Sequence, residues 1–262
     1  MAKVCQLFSG SSGNAIFISD GKTRFLVDAG VSARRLDAAL GYIGEDADAL
    51  DAVFITHEHC DHIKGLRVFA SRHNVPVFSG GKIIEQLCFD EKLNEKNALL
   101  EISENMEIGG VEIIPFELSH DSVECYGYRF NLNGGKSVSV CTDTGIVTSG
   151  AKKVIPESDF VFLEANHEVM MLENGSYPYI LKQRILSRRG HLSNEACAEF
   201  ARELVKSGTR WLNLSHLSRE NNVPEIARQT VISALNEDGL QEGYDYKLSV
   251  SKQENSERAI II

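Results

Sequence analysis

Residues 56–65 read Thr-His-Glu-His-Cys-Asp-His-Ile-Lys-Gly. Between His57 and His62, every side chain except Cys60 is an imidazole or a carboxylate. That mixture suits Zn, Mn or Fe and not Ca. The preceding run 51–56, Asp-Ala-Val-Phe-Ile-Thr, is apolar and β-prone. Where a strand opens into a loop, alternate side chains point the same way. His57 and His59 could then share one ion, and Asp61 and His62 could serve a second. The alternative is a solvated turn, which leaves the crowding of ligand types unexplained. Cys60 adds no useful spacing and reads as filler.

Further ligands must come from afar. His120 follows the strand-like run 113–118, Asp143 follows 138–142, and His216 follows 211–215. Strand ends are where functional side chains tend to project from a sheet. Each of the three alone is a weak pointer, since a lone strand-end histidine is more often polar surface.

The elements that must position these groups are short. Apolar, β-branched runs occupy 4–8, 15–19, 24–28, 52–56, 111–116, 126–132 and 137–142, with turn residues between them. Asn133 to Gly135 reads as a hairpin. Residues 159–163 and 211–215 read as buried strands. Apolar spacing predicts helices over 63–73, stopped by Pro76, and over 194–207, with Ser193 or Asn194 as cap and Gly208 as stop. A third helix is expected over 224–235, with Pro224 in its first turn and Ile226, Thr230, Val231 and Ala234 on one side. Strands and helices mix over 262 residues without linker, repeat or low-complexity tract, which points to one layered α/β domain, 1–262.

Bulk properties exclude some functions. The net charge is −10. Proteins that coat nucleic acid are basic, because affinity comes largely from neutralised phosphates. A packaging role is therefore excluded, while an enzyme with a local basic groove is not. No apolar run approaches the ~18–20 residues needed to span a bilayer, so no membrane role is expected. No secretory leader is legible at the N-terminus. The six cysteines, at 5, 60, 88, 125, 141 and 197, include no Cys-x-x-Cys pair. They read as reduced, mostly buried thiols of a cytoplasmic protein.

The run His-x-His-x-Asp-His, a later histidine, an aspartate after a strand and a last histidine together resemble the metallo-β-lactamase fold. Phe25-Leu-Val-Asp-Ala-Gly30 is similar to that fold's early strand ending in Asp-x-Gly. Ser9-Gly-Ser-Ser-Gly-Asn14, Thr142-Asp-Thr-Gly145, Glu164-Ala-Asn-His167 and Arg189-Gly-His-Leu-Ser-Asn194 resemble the YycJ-like (WalJ-like) branch, near the tRNase Z and RNase J nucleases. The resemblance implies a four-layer αββα sandwich with its site at one edge. It implies that His57, His59 and His120 hold one ion, that Asp61, His62 and His216 hold a second, and that Asp143 bridges them. It leaves the metal open among Zn, Mn and Fe.

Two such ions, ~3.5–4 Å apart, generate a hydroxide that attacks a phosphodiester and offset the charge of the transition state. Asp61 could ligate and orient that water. The leaving oxygen needs a proton. His191, just before a helix start, resembles the proton-donating histidine of tRNase Z-type enzymes, with Glu164 as its carboxylate partner. His167 is a rival donor, and His73 reads as surface.

Tyr177 to Arg189 is the one locally basic stretch. Lys182, Arg184, Arg188 and Arg189 could meet phosphates, while Tyr177 and Tyr179 stack on bases or sugars. A solvated helix face is the bland alternative. Ser11, Ser12 and Asn14 lie in a small-residue loop whose backbone could grip a terminal phosphate, or which is a plain tight connection.

The expected function is a two-metal phosphodiesterase, a 5′-to-3′ exonuclease on DNA, with RNA also open. A small-molecule hydrolase of the same fold, acting on a cyclic phosphodiester or a thioester, is the second reading. A non-catalytic metal-binding regulator is the third, and the complete ligand set argues against it.

Overall fold

The computed structural model describes residues 1–93, 97–104 and 106–262. Six strands build most of a first sheet: β1 (Lys3–Phe8), β2 (Ala15–Ser19), β3 (Arg24–Val27), β4 (Ala52–Phe54), β5 (Val77–Ser79) and β6 (Leu99–Glu101). The next seven build the second: β7 (Met106–Ile108), β8 (Val111–Glu117), β9 (Tyr126–Asn131), β10 (Ser137–Cys141), β11 (Phe160–Glu164), β12 (Trp211–Ser215) and β13 (Lys247–Val250). The last strand, β14 (Ile260–Ile261), returns to pair with β1, so the first sheet runs β14-β1-β2-β3-β4-β5-β6.

Each sheet has an antiparallel half and a parallel half. β1, β2 and β3 are antiparallel, then β3 to β6 are parallel. β7 to β10 are antiparallel, then β10 to β13 are parallel. Parallel neighbours need crossover connections, which here carry the helices. In the first sheet these are α1 (Ala33–Tyr42), α2 (Cys60–Ile63), α3 (Leu66–His73) and α4 (Gly81–Phe89). In the second they are α5 (Ser149–Val154), α6 (Val169–Asn174), α7 (Tyr179–Leu186), α8 (Asn194–Ser207) and α9 (Pro224–Glu237).

Three apolar layers result. Leu26, Val53 and Val77 meet Leu36, Leu66, Phe69 and Ile83 on the outer side of the first sheet. Val161, Leu163 and Leu212 meet Phe200, Leu204 and Val231 on the outer side of the second. Between the sheets lie Phe25, Phe54, Tyr128, Phe130, Phe160 and Phe162. Phe54 packs edge-on to Phe25 at 5.8 Å and to Phe130 at 5.3 Å, and stacks on Phe78 at 5.2 Å. Such pairs add about 0.5–1.5 kcal/mol each to burial alone. This is the αββα sandwich, and it explains the unbroken apolar runs. β2, β4, β5, β10 and β11 are covered on both faces and bury every residue.

The structure adjusts three expectations. The helix expected over 63–73 is two helices, parted at Lys64 and Gly65. A Cβ on Gly65 would come within 2.0 Å of the Val31 carbonyl oxygen. The buried side of α9 is Ala227, Val231 and Leu235, one residue round from the expected stripe, and Ile226 is exposed. His73 is not free surface, since its ring pairs with Asp37 at 2.9 Å and with Asp48. The expected hairpin at Asn133–Gly135 and the cap and stop of α8, Ser193 and Gly208, stand as read. Among the described residues, no helix is long and apolar enough to cross a membrane.

Candidate metal centre

The parallel strands of both sheets end on the same edge, where open α/β sheets place their ligands. Asp28 follows β3, His57 lies beyond β4, Asp143 follows β10, Glu164 ends β11 and His216 follows β12. Asp28, Asp143 and His216 have φ of 64°, 64° and 58°. Left-handed backbone is uncommon outside glycine and gathers at functional sites. Here it turns each side chain off its strand and into the edge.

The His57–Gly65 loop is laced to the turn after β3. Ala29 N–H donates to His62 O at 2.7 Å, Gly65 N–H to Ala29 O at 2.8 Å, and Asn14 N–H to Asp61 O at 2.8 Å. Gly30 permits this approach, since a Cβ there would sit 1.7 Å from the Asp61 carbonyl oxygen.

Four sets of side chains bring one ligand atom each within 4.8 Å of one another: His57 with His59 and His120; His57 with His62 and Asp143; Asp61 with His62 and His216; and Asp143 with Glu164, His191 and His216. All seven residues expected as ligands are therefore together. His57, His62, His120, Asp143 and His216 are buried, and Asp61 and His59 are half-buried.

The outward ring nitrogens are engaged. His57 Nδ1 lies 3.0 Å from Thr56 Oγ1, whose hydroxyl donates to Asp28. His62 Nδ1 donates to Asp28 Oδ2 at 2.7 Å, His120 Nδ1 to Gly190 O at 3.0 Å, and His216 Nδ1 to Glu164 Oε1 at 2.9 Å. Hydrogen bonds of this kind fix the tautomer and leave the other nitrogen with a lone pair. His59 differs, because its Nδ1 faces inward, 3.3 Å from His120 Nε2.

Three of the inward atoms lack partners. His57 Nε2, His216 Nε2 and Asp143 Oδ2 are buried and make no hydrogen bond among the described residues. A buried polar atom left unpaired costs about 1–3 kcal/mol. Nitrogen and carboxylate donors that converge, are orphaned and have their outer sides tied fit divalent metal.

The electrostatics agree. Burial, reinforced by the neighbouring imidazoles, keeps His57 well below its usual range and so neutral. Burial opposes charge on His62, but Asp28, Asp143 and Asp61 outweigh it and push it up to about 9. His216 is likewise raised by Asp143, Asp61 and Glu164 against its burial. Asp61 is held well below the carboxylate range, since His62 and His216 overcome its burial. The cluster's carboxylates thus call for positive charge in their midst.

Glu164 is fully buried and serves two rings. Its Oε1 accepts from His216 Nδ1 and, at 2.8 Å, from His191 Nδ1, while Oε2 accepts from Thr144 N–H at 2.8 Å. His191 is partly exposed and borders a cavity of about 280 Å³ over the cluster. His167 does not border it. It is buried, neither ring nitrogen has a partner among the described residues, and burial pulls it down to about 4.

The expected substrate contacts divide. Ser11, Tyr177 and Arg184 border the cavity. Lys182 is spent elsewhere, because its Nζ donates to Glu173 O at 2.8 Å and Gly175 O at 2.7 Å, satisfying carbonyls at the end of α6. Arg189 braces the His120 loop through His120 O at 2.9 Å and Ser122 O at 3.0 Å. Arg188 borders a neighbouring groove with Thr148 and Ser149. Ser12 Oγ accepts from Arg219 at 2.8 Å. Asn14 turns its amide to the ligand loop, 2.9 Å from His62 Nε2 and 3.3 Å from Asp61 Oδ2.

Sequence reasoning passed over Asp28 as a working residue, and with it Thr56, Gly190 and Asp121. Asp121 pairs with Arg184 and places its Oδ1 3.4 Å from His120 Nε2. The available signal for Asp28 was a polar residue closing an apolar run just before a glycine.

Residues 23–216 match the family described as the β-lactamase superfamily domain. The chain is 37% identical over 246 residues to a protein of Streptococcus pneumoniae named exodeoxyribonuclease WalJ, covering 92% of this chain and 91% of that one. It is 34% identical over 245 residues to exodeoxyribonuclease YycJ of Bacillus anthracis, covering 92% of each. In backbone it is similar to the metallo-β-lactamase fold protein YhfI of Bacillus subtilis, with a TM-score of 0.70 at 20% identity over 97% of this chain and 98% of that one. Human tRNase Z, short form, gives 0.66 at 14% identity over 100% and 99%. A family match over most of the chain, and relatives alike along nearly their whole length, make this chain a member of the β-lactamase superfamily.

Proposed function

We propose that the protein is a metal-dependent phosphodiesterase that removes nucleotides from the 5′ end of DNA. His57, His59 and His120 would hold one divalent ion, Zn or Mn, and Asp61, His62 and His216 a second, with Asp143 placed to serve both. The observation that carries this reading is the convergence of these side chains, with three inward atoms, His57 Nε2, His216 Nε2 and Asp143 Oδ2, buried and unpaired among the described residues. The names of the two relatives, both exodeoxyribonucleases, support DNA as the substrate. We read residues 1–262 as one domain, because the layer between the sheets draws on residues from Ala2 to Phe162. Unpaired thiols at all six cysteines support a reducing, cytoplasmic setting.

Divalent ions bound here supply a water acidic enough to attack at neutral pH and a charge to offset that of the transition state. The chain supplies the rest. Asp61, half-buried at the cavity wall, orients the attacking water. Glu164 fixes the His191 ring through Nδ1, so Nε2 can carry a proton to the leaving oxygen. Arg184 and Tyr177 border the cavity where phosphate and sugar arrive, and Ser11 stands at the wall that meets the terminal phosphate.

The test is a panel of 3′-labelled DNA and RNA oligonucleotides, with and without a 5′-phosphate, given to the Mn- or Zn-loaded protein. Stepwise release of nucleotides from the 5′ end of DNA is expected. Release from RNA alone, or no release with either metal, overturns the reading.

A further inference from the structure

Of the five histidines expected as metal ligands, four are gripped on their outer side, by Thr56, Asp28, Gly190 O and Glu164. His59 is the exception. Its Nδ1 faces inward, so Nε2 is the nitrogen turned away from the cluster. Its side chain is 27% exposed, whereas the other four are buried. A ligand ring with no outer partner can turn and change tautomer.

Asp121, in the loop between β8 and β9, faces that ring. Its Oδ1 lies 4.0 Å from His59 Nε2 and 3.4 Å from His120 Nε2. Oδ1 is buried and makes no hydrogen bond among the described residues. A carboxylate oxygen only accepts, so it needs a ring nitrogen that carries a proton. His120 Nε2 does not supply one, because the His120 proton sits on Nδ1, toward Gly190 O at 3.0 Å. His59 Nε2 does, since an inward Nδ1 keeps its lone pair and leaves the proton on the other nitrogen. The gap of 4.0 Å is about 1 Å longer than a hydrogen bond, and a small turn of either side chain closes it.

The second oxygen of Asp121 is held from the cavity side. Oδ2 pairs with Nε of Arg184, which stands on α7 at the cavity wall. That pairing aims Oδ1 back at the ring. Asp121 belongs to none of the four sets whose donor atoms converge, which separates it from the ligands themselves.

We propose that Asp121 is a positioning residue for the first metal subsite: braced by Arg184, its Oδ1 accepts from His59 Nε2 and holds that ring as an Nδ1 donor. This rests on the metal reading above. It adds a support that runs from the cavity wall on α7 to the one ligand ring without an outer partner.

The experiment titrates zinc into the apoprotein by calorimetry, for the wild type, Asp121→Ala and Asp121→Asn, with urea midpoints as a check on the fold. Asp121→Ala is expected to lose about 10–100-fold in affinity at one binding step, with the other step changed by less than about threefold. Asp121→Asn keeps an oxygen that can accept from Nε2, and is expected to recover most of that loss. A crystal of the zinc-loaded wild type is expected to show Oδ1 within about 3.2 Å of His59 Nε2. Unchanged affinity in Asp121→Ala overturns the proposal. So does an equal loss at both steps with a lowered urea midpoint, which makes Asp121 a residue of the fold. Asp121→Asn as weak as Asp121→Ala, or Oδ1 bonded to zinc in the crystal, overturns it as well and makes Asp121 a ligand. In these cases the wild type still binds zinc and the metal reading stands. A wild type that takes up no zinc overturns both.

Discussion

The Asp28 carboxylate and the His62 imidazole form one buried unit, with Oδ2 2.7 Å from Nδ1 and almost no surface on either side chain. Asp28 Oδ1 also accepts from the Thr56 backbone N–H at 2.9 Å. One carboxylate thus fixes the ring of a metal-binding candidate and the backbone from which the whole His57–His62 run departs.

That relationship makes Asp28 a test of the site's supporting shell. Asp28→Asn keeps the shape but loses the charge that holds His62. Isothermal titration of the apoprotein with Zn or Mn is expected to show affinity lowered about 10–100-fold at the weaker step. Unchanged affinity at both steps would show that Asp28 serves the fold alone.

His191 is not one of the seven expected ligands, although its Nδ1 lies 3.7 Å from Asp143 Oδ1, and it shares Glu164 with His216. His191→Ala is expected to retain bound metal and to slow turnover on DNA ~10²–10⁴-fold, the usual range for a general acid. A p-nitrophenyl phosphodiester, whose leaving group needs little help from a proton, should lose much less. An equal loss on both substrates, with metal retained, would assign His191 to positioning rather than proton transfer.

The site's histidine run was the most legible part of the chain. Its ligand types sit within six positions, and the strand before it sets their direction. His120, Asp143 and His216 were legible as strand-end residues, but nothing local said that three strand ends meet. That follows from two sheets sharing one edge. Asp28 acts on a residue 34 positions away, so its role depends on a β3–β4 pairing that periodicity alone does not reveal. The basic stretch before His191 was legible as charge only. Which cation faces the cavity and which caps a helix depends on how α6 and α7 pack. Likewise α9 turned out rotated: Ala227, Val231 and Leu235 are buried and Ile226 is exposed, which depends on how the helix packs on α8.

Asp20 ties the two sheets together far from the metal cluster. Its Oδ1 accepts from the N–H groups of Lys22 and Thr23, both at 2.7 Å, and its Oδ2 accepts from Asn133 at 2.7 Å. Burial alone would raise its pKa, but these bonds outweigh it and hold the group below the usual carboxylate value. A carboxyl depressed in the folded state contributes stability that is fully present above its unfolded value, ~3.9, and is lost as pH falls through the folded value. Asp20→Asn is therefore expected to lower stability by about 1–3 kcal/mol at pH 7. The gap between variant and wild type should narrow below about pH 4. Urea midpoints at pH 7 and pH 3 measure both. A gap that is the same at the two values would contradict the assignment.

The central claim is that seven side chains from four separate loops enclose a pair of divalent ions, and anomalous diffraction from a crystal grown with Mn or Zn tests it most directly. The account predicts two peaks. One lies about 2.0–2.2 Å from His57 Nε2, His59 Nδ1 and His120 Nε2, the other equally close to Asp61, His62 and His216, with Asp143 between them. A crystal soaked in either metal that shows no peak inside this cluster would contradict it.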